Sequence, residues 1–404
     1  MTLVDDGAHI VAAPGCGAPT TMLQTVDKEA PGREWTLSSG LLLGDYPFLG
    51  SVTSGALQYR TWHVTAPVKG LVADGVVTFV PVRASRIAAL LATWGVDVAL
   101  VRVTPADRHG FHSLGPSAGY GLDALRLARV RIGEVDPDLP WTFGNTMVHE
   151  SIFDALVDTA DPTPQYVSAK PSAVSDRIAE HVVNLLPSNP TLQIGIGAIP
   201  EAVVASLAEA DLGRVRFMGM ATDEMVDLFD QGIIQASGDQ PAIMSPELMG
   251  TERLMRFADR NPAVAVYPSS IAHDAVGLGR TERFVSVNTA IEVDILGQVN
   301  SETIRGRQIS GIGGSLDFID AATRSPGGMR VIALPSTTPD GSRSRIVAAV
   351  GTVTIPRSMV DIVVTEYGVA RLDGRSLAER RQALIAIAHP DHRQALASNE
   401  EAML

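Results

Sequence analysis

The run LQIGIGAIPEAVVASLAEA (192–210) decides the fold. LQI reads as a short buried strand, Gly195 and Gly197 as a tight turn, and EAVVASLAEA (201–210) as the helix that follows. Strand, glycine turn and helix in that order form the building unit of an α/β protein. Backbone N–H groups at a glycine turn and a helix N-terminus make a site for an anion or an oxyanion, and glycine lets a ligand approach the main chain closely. Pro200 and Glu201 stand where the third glycine of a dinucleotide fingerprint would follow, so that reading is excluded.

The same alternation runs outward in both directions. Upstream, AHIVAA (8–13), GVVTFVPV (75–82), VDVALVRV (96–103) and VRIGEV (130–135) read as strands, with SRIAALLATW (85–94) and GLDALRLA (121–128) as helices between them. Downstream, VRFMGM (215–220), AVAVYP (263–268), MRVIALP (329–335) and MVDIVVTEYG (359–368) continue the pattern. Near-continuous apolar strands separated by helices predict mostly parallel sheets covered on both faces. The polar stretch TADPTPQYVSAKPSAVSD (159–176) contains three prolines and marks the boundary between an N-terminal domain (1–170) and a C-terminal domain (171–404). Each half has a glycine-rich turn after an early strand, APGCGAPTT (13–21) and GIGAIPEAV (195–203), which suggests two related α/β units.

Composition narrows the function. The chain has 404 residues, a net charge of −13 and three lysines, Lys28, Lys69 and Lys170. Nucleic acid is an excluded partner on this balance. An anionic ligand must be met by arginine or by backbone N–H groups. One cysteine, Cys16, rules out a disulfide within the chain. No apolar run approaches the ~20 residues of a membrane helix. Asp5 and Asp6 stand where a secretory leader would be basic. The expectation is a cytoplasmic protein without a membrane partner.

A second loop, Gly311-Ile312-Gly313-Gly314, precedes SLDF (315–318) and offers another close backbone approach. GIGAIPEAV together with NTAIEVDILGQVNSE (288–302), SGIGGSLDFIDAA (310–322), PST (335–337), VVTEYGVARLDGRS (363–376) and IAHPDHR (387–393) resembles the acetyl-CoA hydrolase/CoA-transferase family. LLLGDYPFLG (41–50), DVALVRVTPADRHGFHSLG (97–115) and EVDPDLPWTFGNTMVHES (134–151) extend the resemblance over nearly the whole chain. It implies two similar α/β domains with the active site in the cleft between them, a homodimer, and a coenzyme A thioester as substrate with no tightly bound cofactor and no metal. It assigns Gly195, Ile196, Gly197, Ala198 and Ile199 to a CoA-contacting loop. Gly311, Gly313 and Gly314 fall on a loop that binds CoA and holds the thioester oxyanion. Arg343 and Arg345 follow PST, where phosphate contacts are expected. The family mechanism has a glutamate attack the thioester and form a glutamyl-CoA intermediate.

The sequence departs from the family at that glutamate. Without gaps, FMGMATDEMVDL (217–228) places Gly219 on the nucleophile, Asp223 on the family's aspartate and Asp227-Leu228 on the following helix. A gapped reading places Glu224-Met225 on the family's Glu-Met pair and puts Glu224 about one turn into the helix. With Gly219 there, no glutamyl-CoA can form at that position, and an outside nucleophile is expected to attack the thioester directly. The acyl donor is then CoA or a carrier protein's pantetheine, and the acceptor water or a small molecule. An ordinary CoA-transferase using Glu224 and a non-catalytic acyl-CoA-binding protein are the alternatives. His149, in MVHES, reads as an orienting residue or a general base. Glu292 and Asp294 alternate on one strand and read, with Glu366, as supports of the site. Cys16 reads as a buried small residue rather than a nucleophile.

Overall fold

The computed structural model of the protein describes residues 3–398, which form two compact units. The first takes the chain up to Val167 with Gly219–Asp223 and Ala236–His273. The second takes Ser168–Met218, Glu224–Gln235 and the chain from Asp274. The single division at 170/171 therefore becomes a division with two returns. Hydrogen bonding explains this: strands Ile243–Ser245 and Val264–Val266 pair in parallel with each other, and the latter with Phe143–Gly144 of the first unit.

The first unit is built on β1 (His9–Ala12), β2 (Thr36–Ser38), β3 (Gln58–Thr61), β4 (Thr78–Phe79), β5 (Val98–Val103), β6 (Val130–Val135) and β7 (Ala155–Asp158). Their order is β7-β6-β5-β1-β2-β3-β4, and all neighbours are parallel. The chain lays down β1 to β4 in one direction, then returns to the other side of β1 for β5 to β7. Connections leaving the carboxyl ends of β1 and β5 part in opposite directions, and such a switch opens a crevice suited to ligands.

The second unit repeats the plan with β8 (Thr191–Ile194), β9 (Arg216–Met218), β10 (Phe284–Thr289), β11 (Met329–Ala333), β12 (Ile362–Thr365) and β13 (Gly368–Arg371). The order is β13-β12-β11-β10-β8-β9, parallel throughout except for the β12–β13 hairpin. Its switch lies between β8 and β10. The two glycine turns thus occupy corresponding places, each after the first strand of its unit. Mostly parallel α/β architecture is what the apolar alternation predicts, and two similar units are what the family resemblance implies.

Two strands differ from the sequence reading. GVVTFVPV pairs only over Thr78–Phe79, at the sheet edge; Pro81 has no N–H for a ladder. β10 gives no apolar signal because Ser286 and Asn288 interrupt it. Both are buried, and both donate to Gln193 Oε1 on β8, at 2.6 and 3.2 Å.

A buried ionic network fixes the carboxyl ends in the first unit. Arg102 on β5 and Glu134 on β6 are in register, fully buried, and joined at 2.8 Å, with Asp136 Oδ2 3.2 Å from Arg102 Nη1. Glu134 Oε2 also accepts the Met22 N–H at 2.9 Å. That bond caps the first turn of α1 (Thr20–Glu29), whose N-cap Pro19 brings no side-chain acceptor. Removing one partner leaves an uncompensated charge in the interior. Glu134→Ala is expected to lower unfolding free energy by about 3–5 kcal/mol, read as a fall in the urea midpoint. An unchanged midpoint would contradict this account of the network.

Candidate functional site at the strand switches

In the second unit the ladder runs past β8: Gly195 N–H donates to Val287 O at 3.2 Å. Helix α2 (Ala173–Val183) precedes β8, and α3 (Ala198–Ser206) follows it directly. The helix begins at Ala198, three residues before the sequence reading places it, so the GIGA loop is itself the helix N-terminus. Its N-cap, Gly197, has φ +118 and supplies no side-chain cap. A Cβ there would meet no atom within 4 Å. Glycine is required by the backbone, and the space above it is open. Ile199 is buried and anchors the turn, while Ile196 and Ala198 are half-buried.

Gly311-Ile312-Gly313-Gly314 leads into helix Ser315–Arg324, with Gly313 at φ +59 and Gly314 as N-cap. This helix connects β10 to β11, so both glycine loops belong to connections leaving the two switch strands. Each helix also carries a buried acid in its first turn: Glu201, whose Oε1 accepts the Gly197 N–H at 3.4 Å, and Asp317. A built-in carboxylate offsets the positive helix end. These donors therefore suit the oxygen of a thioester or amide carbonyl better than a doubly charged phosphate.

The carboxylates expected to support the site each hold a hydrogen-bond partner. Glu366, after β12, accepts from Ser336 N and Ser336 Oγ at 2.8 and 2.6 Å and ties the ends of β11 and β12 together. Asp294 Oδ1 accepts Leu296 N and Gln298 N and closes a turn. Glu292 accepts from Asn300 at 3.3 Å. Arg345 donates to Thr337 O and Ile291 O, and burial pulls its pKa down despite the nearby Glu292. Of the two arginines, Arg343 is the exposed one.

In the first unit, Gly219 has φ +117 and donates its N–H to Met244 O at 2.9 Å. A glutamate would be strained in that conformation. Glu224 is the first residue of α4 (Glu224–Asp230), not one turn into it, and accepts from Ser168 Oγ at 3.1 Å. His149 Nδ1 accepts the Ser151 N–H at 3.2 Å and caps the turn Glu150–Ile152. Its ring edge stands on Phe111, 5.0 Å between centroids. His149 thus holds a turn.

Sequence reasoning missed Glu247. It is buried on the loop after strand Ile243–Ser245, and its only sequence signal is one acid inside AIMSPELMG (242–250). It faces the turn after β1: a Cβ on Gly15 would lie 3.6 Å from Glu247 Oε2, and one on Gly119 2.0 Å from Oε1. Burial drives its pKa well above the ordinary carboxylate range, and the Ser117 hydroxyl offsets part of this. Cys16 stands in the same turn. Burial pushes its thiol up to about 12, and its Sγ–H points to Gly250 O at 3.7 Å. It is not a thiolate nucleophile at neutral pH. Among the described residues, no group of three His, Cys, Asp or Glu is placed to hold a metal, and no helix is long and apolar enough to cross a membrane.

The two α/β units each place glycine turns at a strand switch, the arrangement of an α/β protein. Residues 1–174 match the acetyl-CoA hydrolase/transferase N-terminal domain and residues 250–400 the corresponding C-terminal domain. The chain is 39% identical over 308 residues to 4-hydroxybutyrate coenzyme A transferase of Clostridium kluyveri, covering 74% of this chain and 71% of that one. It is 30% identical over 350 residues to an acetyl-CoA hydrolase of Eremothecium gossypii, covering 74% and 65%. The crystal structure of RipA from Yersinia pestis superposes with a TM-score of 0.91 at 28% identity, over 99% of this chain and 95% of that one. The chain belongs to the acetyl-CoA hydrolase/transferase family and is an enzyme of the CoA-transferase class.

Gly197→Ala keeps the open space but strains a left-handed position. It is expected to cost about 1–2 kcal/mol of stability and to raise the Kd for acetyl-CoA at least ~10-fold by withdrawing aligned donors. Denaturant melts and calorimetric titration check the two effects.

Proposed function

We propose that the protein is an acyl-CoA-utilising acyltransferase or thioester hydrolase in which an external nucleophile attacks the thioester carbonyl directly. The reading rests on Gly219, which the ungapped sequence match sets against the family's nucleophilic glutamate and whose φ of +117 suits glycine. The conventional route needs a carboxylate at that point. Glu224, the other candidate, opens α4 and is bonded to Ser168. A family whose relatives include both a CoA-transferase and a hydrolase fits a site in which the acceptor decides the outcome.

The glycine loops at the β8/β10 switch would hold the thioester, with first-turn N–H groups of α3 taking up the developing oxyanion. Each such donor is worth about 3–4 kcal/mol in the transition state. Arg343 is free to meet a phosphate of CoA or of a carrier protein's pantetheine. A biosynthetic role, a small-molecule acceptor, a homodimer and a cytoplasmic setting complete the reading.

Intact-mass analysis tests it. With acetyl-, butyryl- or 4-hydroxybutyryl-CoA and no acceptor, the protein is expected to release free CoA or stay unreacted, and to show no CoA adduct. Adding amine or alcohol acceptors should give acylated product, and acetate should give no CoA exchange. A CoA adduct on any carboxylate, or acetate-dependent exchange, overturns the direct-attack reading.

A further inference from the structure

The switch crevice of the first unit contains a group that direct attack requires and that Gly219 cannot supply. The main chain of Glu247 is fixed from two sides. Ala221 N–H donates to Glu247 O at 3.4 Å and Met249 N–H to Ala221 O at 2.8 Å. On the other side Ser117 pairs with Glu247 as an antiparallel bridge, Gly119 N–H donates to Pro246 O at 3.2 Å, and Leu248 N–H to Pro116 O at 2.8 Å. The segment 219–221 therefore runs one strand spacing, about 4.8 Å, from 244–248. The main chain of Glu247 thus lies alongside that segment, and its carboxyl group faces Gly15, Gly119 and Ser117.

The carboxyl group sits where side chains have been removed to admit it. Gly15 and Gly119 both face it, and a Cβ on Gly119 would clash with Oε1. Gly17 similarly faces Ser117, with a Cβ there 2.5 Å from Ser117 Cβ. Glu247 Oε2 is buried without a hydrogen-bond partner, and the buried Ser117 hydroxyl is the polar side chain beside the carboxyl group. Buried polar atoms without partners are rare and concentrate at working sites. The titratable groups facing Glu247 are Cys16 and Tyr120, with Asp223 behind Cys16. The Asp223 carboxylate is occupied by the N–H groups of Thr251 and Leu254. Burial raises both the Cys16 thiol and the Tyr120 phenol, so neither ionises at neutral pH.

We propose that Glu247 is the general base of this enzyme, taking the proton from the nucleophile that attacks beside Gly219; this rests on the direct-attack reading. A neutral hydroxyl or amine nucleophile, water being the simplest, forms a bond to the thioester carbon while its proton passes to the Glu247 carboxylate. As the carbon–sulfur bond breaks, the electron pair goes to sulfur and Glu247 returns the proton there. The products are the acyl ester, amide or acid and free CoA, with Glu247 regenerated.

The test measures acetyl-CoA turnover with water and with an amine across pH in the wild type, Glu247→Gln and Ser117→Ala. The wild type should show a rising acid limb in kcat/KM above the ordinary carboxylate range. Glu247→Gln, which keeps shape and hydrogen-bonding capacity, should lose about 100-fold or more in kcat, keep KM within about threefold, and lose the limb. Ser117→Ala removes the hydroxyl that lowers the Glu247 pKa, so its limb should move to higher pH. Glu247→Gln within threefold of wild-type kcat, or a Ser117→Ala limb that stays in place, overturns the assignment. The second criterion holds even if Glu247→Gln fails to fold. A CoA adduct mapped to Glu247 makes it a nucleophile and overturns both this assignment and direct attack. A wild type that turns over no thioester overturns both as well, whereas a turning-over wild type matched by Glu247→Gln overturns the base assignment alone.

Discussion

A parallel sheet cannot be continued by a hairpin, so each connection must cross back over one face and begin again at the same end. When the chain starts in the middle of a sheet and builds outward both ways, the two central strands send their connections apart. That constraint shapes both units. In the first it separates the turns after β1 and β5, and in the second those after β8 and β10. Glycines stand at both crevices, at Gly119 because Glu247 leaves no room for a side chain and at Gly197 because its φ of +118 requires glycine. Gly15, Gly17 and Gly119 line one; Gly195, Gly197 and the Gly311–Gly314 loop belong to the other. The recurrence of a glycine turn after the first strand of each unit follows from topology before any chemistry is considered.

Crevices of this kind work only if the strand ends are rigid, and each unit holds them with buried polar groups rather than apolar packing alone. In the first, Arg102 bridges β5 to β6 and joins them to Thr20 and Thr159. Glu134 extends the same network to the N-terminus of α1. In the second, Gln193 on β8 gathers Ser286 and Asn288 from β10. Such networks cost desolvation and return little net stability, but every member has a directional partner, so the register of adjacent strand ends is fixed. Position at the switch, not depth of core, is what these residues secure.

What the sequence reveals tracks how directly physics writes it into local pattern. VDVALVRV and VRIGEV are legible because strands covered on both faces must be apolar, and even Arg102 and Glu134 do not break the run. FVSVNT (284–289) is illegible for the converse reason: its polar residues are satisfied by Gln193, nearly a hundred positions away, and no local rule announces that. GVVTFVPV misleads because apolar alternation survives at an edge where pairing does not. Among the site residues, the glycine loops are legible as turns, although the start of α3 at Ala198 depends on an unusual φ at Gly197. Glu224 stands at the first helical position rather than one turn in, and His149 accepts the N–H of Ser151 at the turn that follows it. Glu247 is hidden because its environment is assembled from four separate segments around Gly15, Ser117, Ala221 and its own loop, none of which carries a carboxylate-binding pattern.

On the proposed reading, a glycine in place of a nucleophilic glutamate is more than the loss of a side chain. At φ +117 the main chain of Gly219 has a course that a side-chain-bearing residue avoids, and its ladder with Met244 continues through Ala221 to Glu247. A buried carboxylate, Glu247, lies on the neighbouring strand end, and its surroundings differ in kind from those a nucleophile needs. A carboxylate that attacks a thioester must be ionised and must present its oxygen to the carbonyl carbon, which favours a solvated or cation-stabilised position. Glu247 faces a neutral thiol, a neutral phenol and apolar side chains, and this setting favours its protonated form. Such a group is a poor nucleophile, and it accepts a proton only at pH values above its raised pKa, where it is ionised. On the proposed reading, an acid on this neighbouring strand end is suited to proton transfer for an outside attacker rather than to covalent capture of the acyl group.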